Sequence, residues 1–292
     1  MEVSRLHTTN PVSHYSMSDY LSYSFNDNEE FINTFDELPL WSASFGLLLI
    51  KHLELKPNLI VIDIGSGAGF PLMELAGRFC KSCKLYGIDL WINANKRARQ
   101  KIKNYNLTNV EIIESSAEKI PFDDNSVDLI VSNLGINNFY NPQIVFKECN
   151  RVLKPEGKLA LTTNLNGHWK EFYNIFESTL HQLEKNELVI KLKEHQEHRG
   201  TVASVSKLFM ENGFKVNRHF EESFEMKFLD GSAFLNHHFV KLGWLSSWRD
   251  LLPGEDLKTV FSILEQNLNT HAAKAGGLTL TVPMTFIGGE KK

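Results

Sequence analysis

Val61-Ile62-Asp63-Ile64-Gly65-Ser66-Gly67-Ala68-Gly69-Phe70 decides the fold: an apolar run of strand length passes straight into three alternating glycines, and residues 71–79 then read as a helix. Glycine is needed where a backbone turns sharply and a ligand comes close, since a Cβ would collide or forbid the dihedral angles. Main-chain N–H groups at the start of the following helix are left to face that ligand. The G-x-G-x-G spacing differs from the G-x-G-x-x-G of dinucleotide sites. Asp63, two residues before the first glycine, would repel a pyrophosphate and attract a cationic group.

Beyond this stretch the chain alternates between apolar runs of strand length and amphipathic runs of helix length, the sign of parallel strands joined by crossover helices. Strands are expected at 59–64, 84–89, 110–114, 127–132 and 158–163, and helices at 71–79, 92–105 and 142–153, the last stopped by Lys154-Pro155-Glu156-Gly157. A helical stretch at 169–183, a helix at 203–212 closed by Gly213, and a sixth strand at 214–220 follow. Residues 278–287 read as a final strand in which Pro283 suits an edge or a bulge. The expected architecture is α/β: a Rossmann-like, doubly wound, seven-stranded and mostly parallel sheet with an N-terminal helical segment and a C-terminal cap insertion. Residues 1–56 are assigned to a lead-in and ligand-covering helices, broken at Pro39; 57–223 to the core; 224–271 to a cap rich in aromatics and histidine; and 272–292 to the last strand.

A chain of 292 residues can bury a large α/β core with a modest cap. Its formal charge of -4 leaves no global positive field for a phosphate backbone, so nucleic acid is not an expected partner. No eighteen uncharged apolar residues run together and the beginning lacks a basic-then-apolar order; no membrane span is expected, and the cytoplasm is the expected location. Three cysteines cannot build a disulfide framework, and Cys80-x-x-Cys83 with only Cys149 to join it falls short of a four-ligand zinc site, so no metal is expected.

Asp89 ends the second strand twenty residues after Gly69, where a carboxylate can accept hydrogen bonds from two ribose hydroxyls. The loop from Asn133 to Phe139 follows the fourth strand at the carboxyl end of the sheet, where ligands of open α/β folds bind, although its asparagines suit simple turns equally well.

Residues 57–163 resemble a class I S-adenosylmethionine-dependent methyltransferase, close to the group holding quinone-biosynthesis C-methyltransferases and arsenite methyltransferases. The resemblance rests on V-I-D-I-G-S-G-A-G at 61–69, G-I-D-L at 87–90, S-S-A-E-K-I-P-F at 115–122, V-D-L-I-V-S-N at 127–133 and R-V-L-K-P-E-G at 151–157. It implies S-adenosyl-L-methionine as cofactor, with Asp63 serving the methionine amino group, Gly65, Ser66, Gly67 and Gly69 passing beneath it, Asp89 on the ribose and Leu90 beside the adenine. Ser116 stands where the family commonly has aspartate, which leaves adenine N6 to a hydroxyl or a main-chain carbonyl within Ser116, Ala117 and Glu118. Asn133 and Leu134 would line the cofactor, while Asn137, Asn138, Phe139 and Trp244 of the cap would face the acceptor. Leu40 to Gly46 resembles a segment that relatives fold over the cofactor; Trp41 and Phe45 would screen the sulfonium there, or serve as buried anchors.

His168, His237 and His238 are candidate general bases, but no triad spacing selects one, and each suits a structural role better. The implied activity is in-line methyl transfer to a small, apolar or aromatic molecule. The absence of an Asn-Pro-Pro-Tyr-type signature argues against amino-methylation of a nucleobase. A non-catalytic S-adenosylmethionine sensor or partner subunit is the alternative. Arsenite methylation is disfavoured because Cys80 and Cys83 are expected at a helix end away from the ligand face, and a nicotinamide oxidoreductase by the glycine spacing and Asp63. The cap could close over the ligand or pack against a second copy in a homodimer.

Overall fold

The computed structural model describes residues 20–36, 40–197 and 199–292. The first part of the lead-in and the break at Pro39 lie outside the described residues. The lead-in contributes a short 3-10 turn at Tyr20–Ser22, then helices α1 (Glu29–Asp36) and α2 (Leu40–His52). The core follows as β1 (Ile60–Ile64), α3 (Leu72–Phe79), β2 (Lys84–Asp89), α4 (Ile92–Asn104), β3 (Val110–Glu114), β4 (Val127–Asn133), α5 (Pro142–Val152) and β5 (Leu153–Asn164). Helices α6 (Lys170–Gln182), α7 (Asn186–Glu197) and α8 (Val202–Glu211) lead to β6 (Phe214–Phe228). The cap is built from α9 (Gly231–Asn236), α10 (His238–Gly243), α11 (Leu245–Asp250) and α12 (Gly254–Ala275), and the chain returns through β7 (Leu278–Lys291).

The seven strands lie in the order β3-β2-β1-β4-β5-β7-β6. Five strands pair in parallel from β3 to β5, and β7 runs antiparallel between β5 and β6. Both faces of the sheet are covered, which is why β1 and β4 are apolar on successive residues instead of alternating. Val61, Leu85, Val131 and Ala160 face α2, α3, α6 and the cap, whereas Ile62, Ile88, Ile130 and Leu161 face α5 and α8.

Two expectations change. β6 runs on to Phe228, so residues 224–228 belong to the sheet and the cap begins after them. β7 is an interior strand, not an edge. Pro283 is tolerated because its carbonyl accepts the Leu165 N–H at 3.0 Å. A strand residue points its N–H and C=O to the same side, so the missing donor faces β5 just past its last paired residue, Asn164. Among the described residues no helix is long and apolar enough to cross a membrane. Cys83 is engaged by main chain, accepting the Leu59 N–H and reaching the Lys56 carbonyl, both at 3.3 Å. Cys149 is buried on the other face.

Candidate cofactor cleft and acceptor region

β1 delivers the glycine loop to the carboxyl edge of the sheet. Gly65, Gly67 and Gly69 have φ of 73°, 50° and 96°, a region that L side chains rarely adopt. A Cβ at Gly65 would lie 3.2 Å from Gly135 Cα, whereas at Gly67 nothing lies within 4 Å, so the loop is a cradle with open space above its middle glycine. Asp89 holds that loop closed: one carboxylate oxygen accepts the Gly67 N–H and the other the Trp91 N–H, each at 2.8 Å. A carboxylate offers about four lone-pair sites, so roughly two remain for a ligand.

The loop borders a cleft of about 820 Å³, a volume typical of small-molecule sites. Of the expected residues, Gly65, Asp89, Leu90, Ser116, Ala117, Glu118, Asn133 and Leu134 meet there, together with Asn138 and Phe139 from the loop after β4. Ser116 Oγ accepts the Glu118 N–H at 3.0 Å, and Glu118 Oε1 accepts the Asn141 N–H at 3.0 Å, so this wall is fixed by its own hydrogen bonds. Leu134 adopts φ 67°, a left-handed conformation that costs a non-glycine residue about 1–2 kcal/mol. The Leu134 N–H bonds to the Thr162 carbonyl at 2.9 Å, and Gly135 follows so close to Ile64 that a Cβ would sit 2.9 Å from its carbonyl oxygen.

The cleft residues that were not expected include Phe25, Asp27, Trp91 and Tyr140. Trp91 directly follows Asp89-Leu90 in sequence, which could have marked it. Phe25 and Asp27 had no signal, because a polar, aperiodic lead-in does not reveal where it docks. The lead-in crosses the cleft as a strap: Asp27 accepts the Trp91 Nε1–H at 2.8 Å, Lys96 pairs with Glu29 at 2.9 Å, and Asp36 pairs with Arg97 and Lys101. At its other end Tyr20 donates to the buried Glu265 of α12 at 3.0 Å.

Several expected site residues are elsewhere. Asp63 is fully buried beneath the glycine loop and does not border the cleft. Neither carboxylate oxygen completes a hydrogen bond, although the Leu72 N–H faces it. Burial, followed by the charge of Asp89, pushes this carboxyl well above the usual range. Ser66 is likewise buried with an unpartnered hydroxyl, and Gly69 packs on Met73. Trp41 and Phe45 do not reach the cleft. α2 lies on β5 and β7, and both rings are buried in an aromatic cluster with Phe224 and, for Trp41, with His168, Trp169, Phe239 and Trp244. Trp244 is therefore a core residue. Asn137 is tied to Asn164 at 2.9 Å and to Thr163 at 2.8 Å, away from the cleft wall.

His168 is 4 % exposed, and burial, followed by the charges of Arg199 and His195, holds its imidazole well below the ordinary histidine value. His237 packs edge-on against Phe228, and burial, followed by the charges of His238 and Lys241, lowers its pKa. His238 borders a separate pocket of about 320 Å³, between the strap and α10, whose wall combines the aromatic Tyr23, Phe31, Phe35 and Phe239 with the polar Asn26, Asn28, Glu30 and Thr34. Phe239 continues inward onto Trp41 and Trp244. Among the described residues no group of three or more His, Cys, Asp or Glu side chains gathers to hold a metal ion.

This strand order is that of class I methyltransferases. Residues 62–161 match the family described as a methyltransferase domain. The chain is similar to the demethylmenaquinone methyltransferase of Listeria monocytogenes, 28% identical over 185 residues, which cover 60% of this chain and 77% of that protein. The fold is similar to that of the YcgJ protein of Bacillus subtilis, with a TM-score of 0.57 at 18% identity, covering 86% of this chain and 99% of that one. It is also similar to the geranyl diphosphate C-methyltransferase of Streptomyces coelicolor, solved with S-adenosyl-L-homocysteine, with a TM-score of 0.53 at 14% identity, covering 92% and 85%. Residues 62–161 are thus a methyltransferase domain, carried on the class I methyltransferase fold.

Proposed function

We propose that the 820 Å³ cleft holds S-adenosylmethionine and that the methyl group passes to a small apolar or aromatic acceptor entering between the strap and the cap. The observation that carries the reading is the open cradle at Gly67, closed by Asp89, above the unpartnered, buried Asp63. The residues fit such a cofactor. Asp89 supplies negative charge beside the loop, which suits a sulfonium and an ammonium and opposes a pyrophosphate. A bound cation would also return Asp63 toward its charged form, relieving part of what its burial costs.

The cofactor supplies a methyl group already activated on a sulfonium. What remains for the chain is alignment and exclusion of water, and positioning alone is worth roughly 7–11 kcal/mol in such displacements. Asp89 would accept the ribose hydroxyls with its remaining lone pairs, while Leu90 and Trp91 flank the base. Phe25 and Asp27 of the strap would cover the bound molecule. The acceptor region is the 320 Å³ pocket between the strap and α10, where Tyr23, Phe31, Phe35 and Phe239 supply aromatic surface. The relative from Listeria is named for a quinone-type acceptor, which accords with an apolar, aromatic substrate here. No general base is required by this chemistry, and His168 and His237 are held neutral by their surroundings.

Calorimetric titration of S-adenosylmethionine and S-adenosylhomocysteine into the full chain, with Asp89→Ala beside it, tests the cofactor site. Binding of both, weakened about 100-fold or more in the variant, is expected if two charge-assisted hydrogen bonds of about 1.5–3 kcal/mol each are lost. A folded protein that binds neither would overturn the reading.

A further inference from the structure

β6 ends the sheet, and among the described residues no strand pairs with its outer side. The direction of its free main-chain groups follows from β7. The Thr281 and Pro283 carbonyls accept the N–H groups of Trp169 and Leu165, just past β5, so Val282, Met284 and Phe286 turn their main-chain groups toward β6. Their partners Phe224, Glu222 and Phe220 face β7, which leaves the N–H and C=O of His219, Glu221 and Ser223 pointing outward. Residues 219–223 are all exposed. An open edge of this kind is a template for another strand unless something opposes the pairing.

Charge is the usual opposition, and here its pattern selects one partner. About Phe220 the signs are mirrored: Arg218 answers Glu222, and His219 answers Glu221. A second copy of the strand, antiparallel and centred on Phe220, therefore sets Arg218 against Glu222, His219 against Glu221 and Phe220 against its counterpart. Centring the pair on Glu221, Glu222 or Arg218 instead opposes like charges, which destabilises a cross-strand pair, and centring it on His219 sets Arg218 against Phe220. The main chain agrees with the same register. His219 and Glu221, both turned outward, fall at a hydrogen-bonded pair, and Phe220, turned toward β7, falls at a non-bonded, closely spaced one. We propose that two copies of this chain pair antiparallel through residues 218–222 of β6, about Phe220, and join their sheets. The irregularity between Val216 and Arg218 bounds the paired stretch. Phe220 is 37 % exposed and stacks on His52 at 3.7 Å, so two such stacks meet at the axis. Glu222 is also paired with Lys51, and Arg218 with Glu54, so the signs keep alternating from one copy into the next. β3 lies at the opposite end of the sheet, and the cleft beside β1, β2 and β4 stays open in the dimer. One strand pair is a small interface with exposed charges, so association depends on concentration and weakens with salt. The pairing is independent of the cofactor reading.

Sedimentation velocity on the full chain, over a range of protein and salt concentrations, tests the pairing. A dimer that grows with concentration and recedes with salt is expected. Glu221→Pro removes an outward donor at an edge, where proline is tolerated. It should weaken the dimer about tenfold or more, since two symmetric hydrogen bonds are lost, while the melting temperature stays near that of the parent chain. Arg218→Glu and Glu222→Arg should each weaken it, and the double variant, in which opposite signs face each other again, should recover it. Register is read with cysteine. Phe220→Cys places a thiol opposite its own copy and should form a disulfide-linked dimer with added oxidant, far faster than Ser223→Cys, which faces Asn217, or the parent chain. A protein that is monomeric at every concentration would overturn the proposal. So would a dimer indifferent to Glu221→Pro, a double variant no better than its singles, or cysteine variants that cross-link at equal rates.

Discussion

At the scale of single residues, glycines at this site do different work. Gly67 has φ of 50° and open space around it, so Gly67→Ala should cost only about 1–2 kcal/mol of stability while placing a methyl in the space where the cofactor would lie. Gly135 is the reverse: a Cβ would meet Ser132 Oγ at 2.3 Å and Ile64 O at 2.9 Å, both in the packed sheet. Gly135→Ala should therefore destabilise the whole domain by about 1–3 kcal/mol or more, as overpacking does. Thermal melts and S-adenosylhomocysteine titrations on both variants separate the two roles. A Gly67→Ala protein that melts normally and binds normally would contradict the cradle.

Among the elements, the strap is anchored by Tyr20 at one end, by Asp36 at the other, and between them by Asp27, which accepts from Trp91 and Asn93. Tyr20 is buried, and burial, then the charge of Glu265 and their hydrogen bond, push its phenol far above the ordinary value, so it stays a donor. Tyr20→Phe should cost about 1–2 kcal/mol and release the strap. Faster hydrogen exchange over 20–28 with weaker cofactor binding is the expected outcome, while unchanged exchange there would show that the anchor is dispensable. A second clamp joins α5 to the β3–β4 connection: Glu148 bonds Arg151 at 2.8 Å and the Ile120 N–H at 2.9 Å. The hydrogen bond from Arg151, ahead of the remaining influences, holds its carboxyl below the ordinary value of 4.5. The unfolded chain therefore binds the proton first as pH falls. The stabilisation is complete above about pH 4.5 and is lost as pH drops through the lower folded value. Glu148→Gln should flatten that part of the acid-unfolding profile, measured by circular dichroism.

For the whole molecule, the position of β7 makes the C-terminus part of the fold's centre. β6 pairs with β7 throughout its length, and β7 pairs in turn with β5. Leu280, Val282, Phe286 and Ile287 are buried in the cores on the two faces of the sheet. Removal of residues 278–292 should leave β6 without a partner and abolish cooperative unfolding, not merely lower the melting temperature. Retention of a single sharp transition in the shortened chain would refute this. The cap depends on the same strand, because α12 feeds directly into it through Gly276, whose φ of 77° turns the chain back.

The sequence by itself determined the sheet and the cofactor loop. Both are local: the apolar runs of β1, β2 and β4 carry their own periodicity, and the glycines and Asp89 are set by a turn whose geometry spans a few residues. Only the tertiary structure decided which side chains reach the ligand. Trp41, Phe45, Asn137 and Trp244 have the right chemistry for a site and the right neighbourhood in sequence, yet α2 turns its rings onto the sheet and Asn137 is taken by Asn164 and Thr163. Phe25 and Asp27 gave no signal, since their meaning depends on which element docks beside them. Local pattern fixes which way a backbone runs. The partner of a buried side chain is settled by packing between segments far apart in the chain, as Tyr20 and Glu265 show.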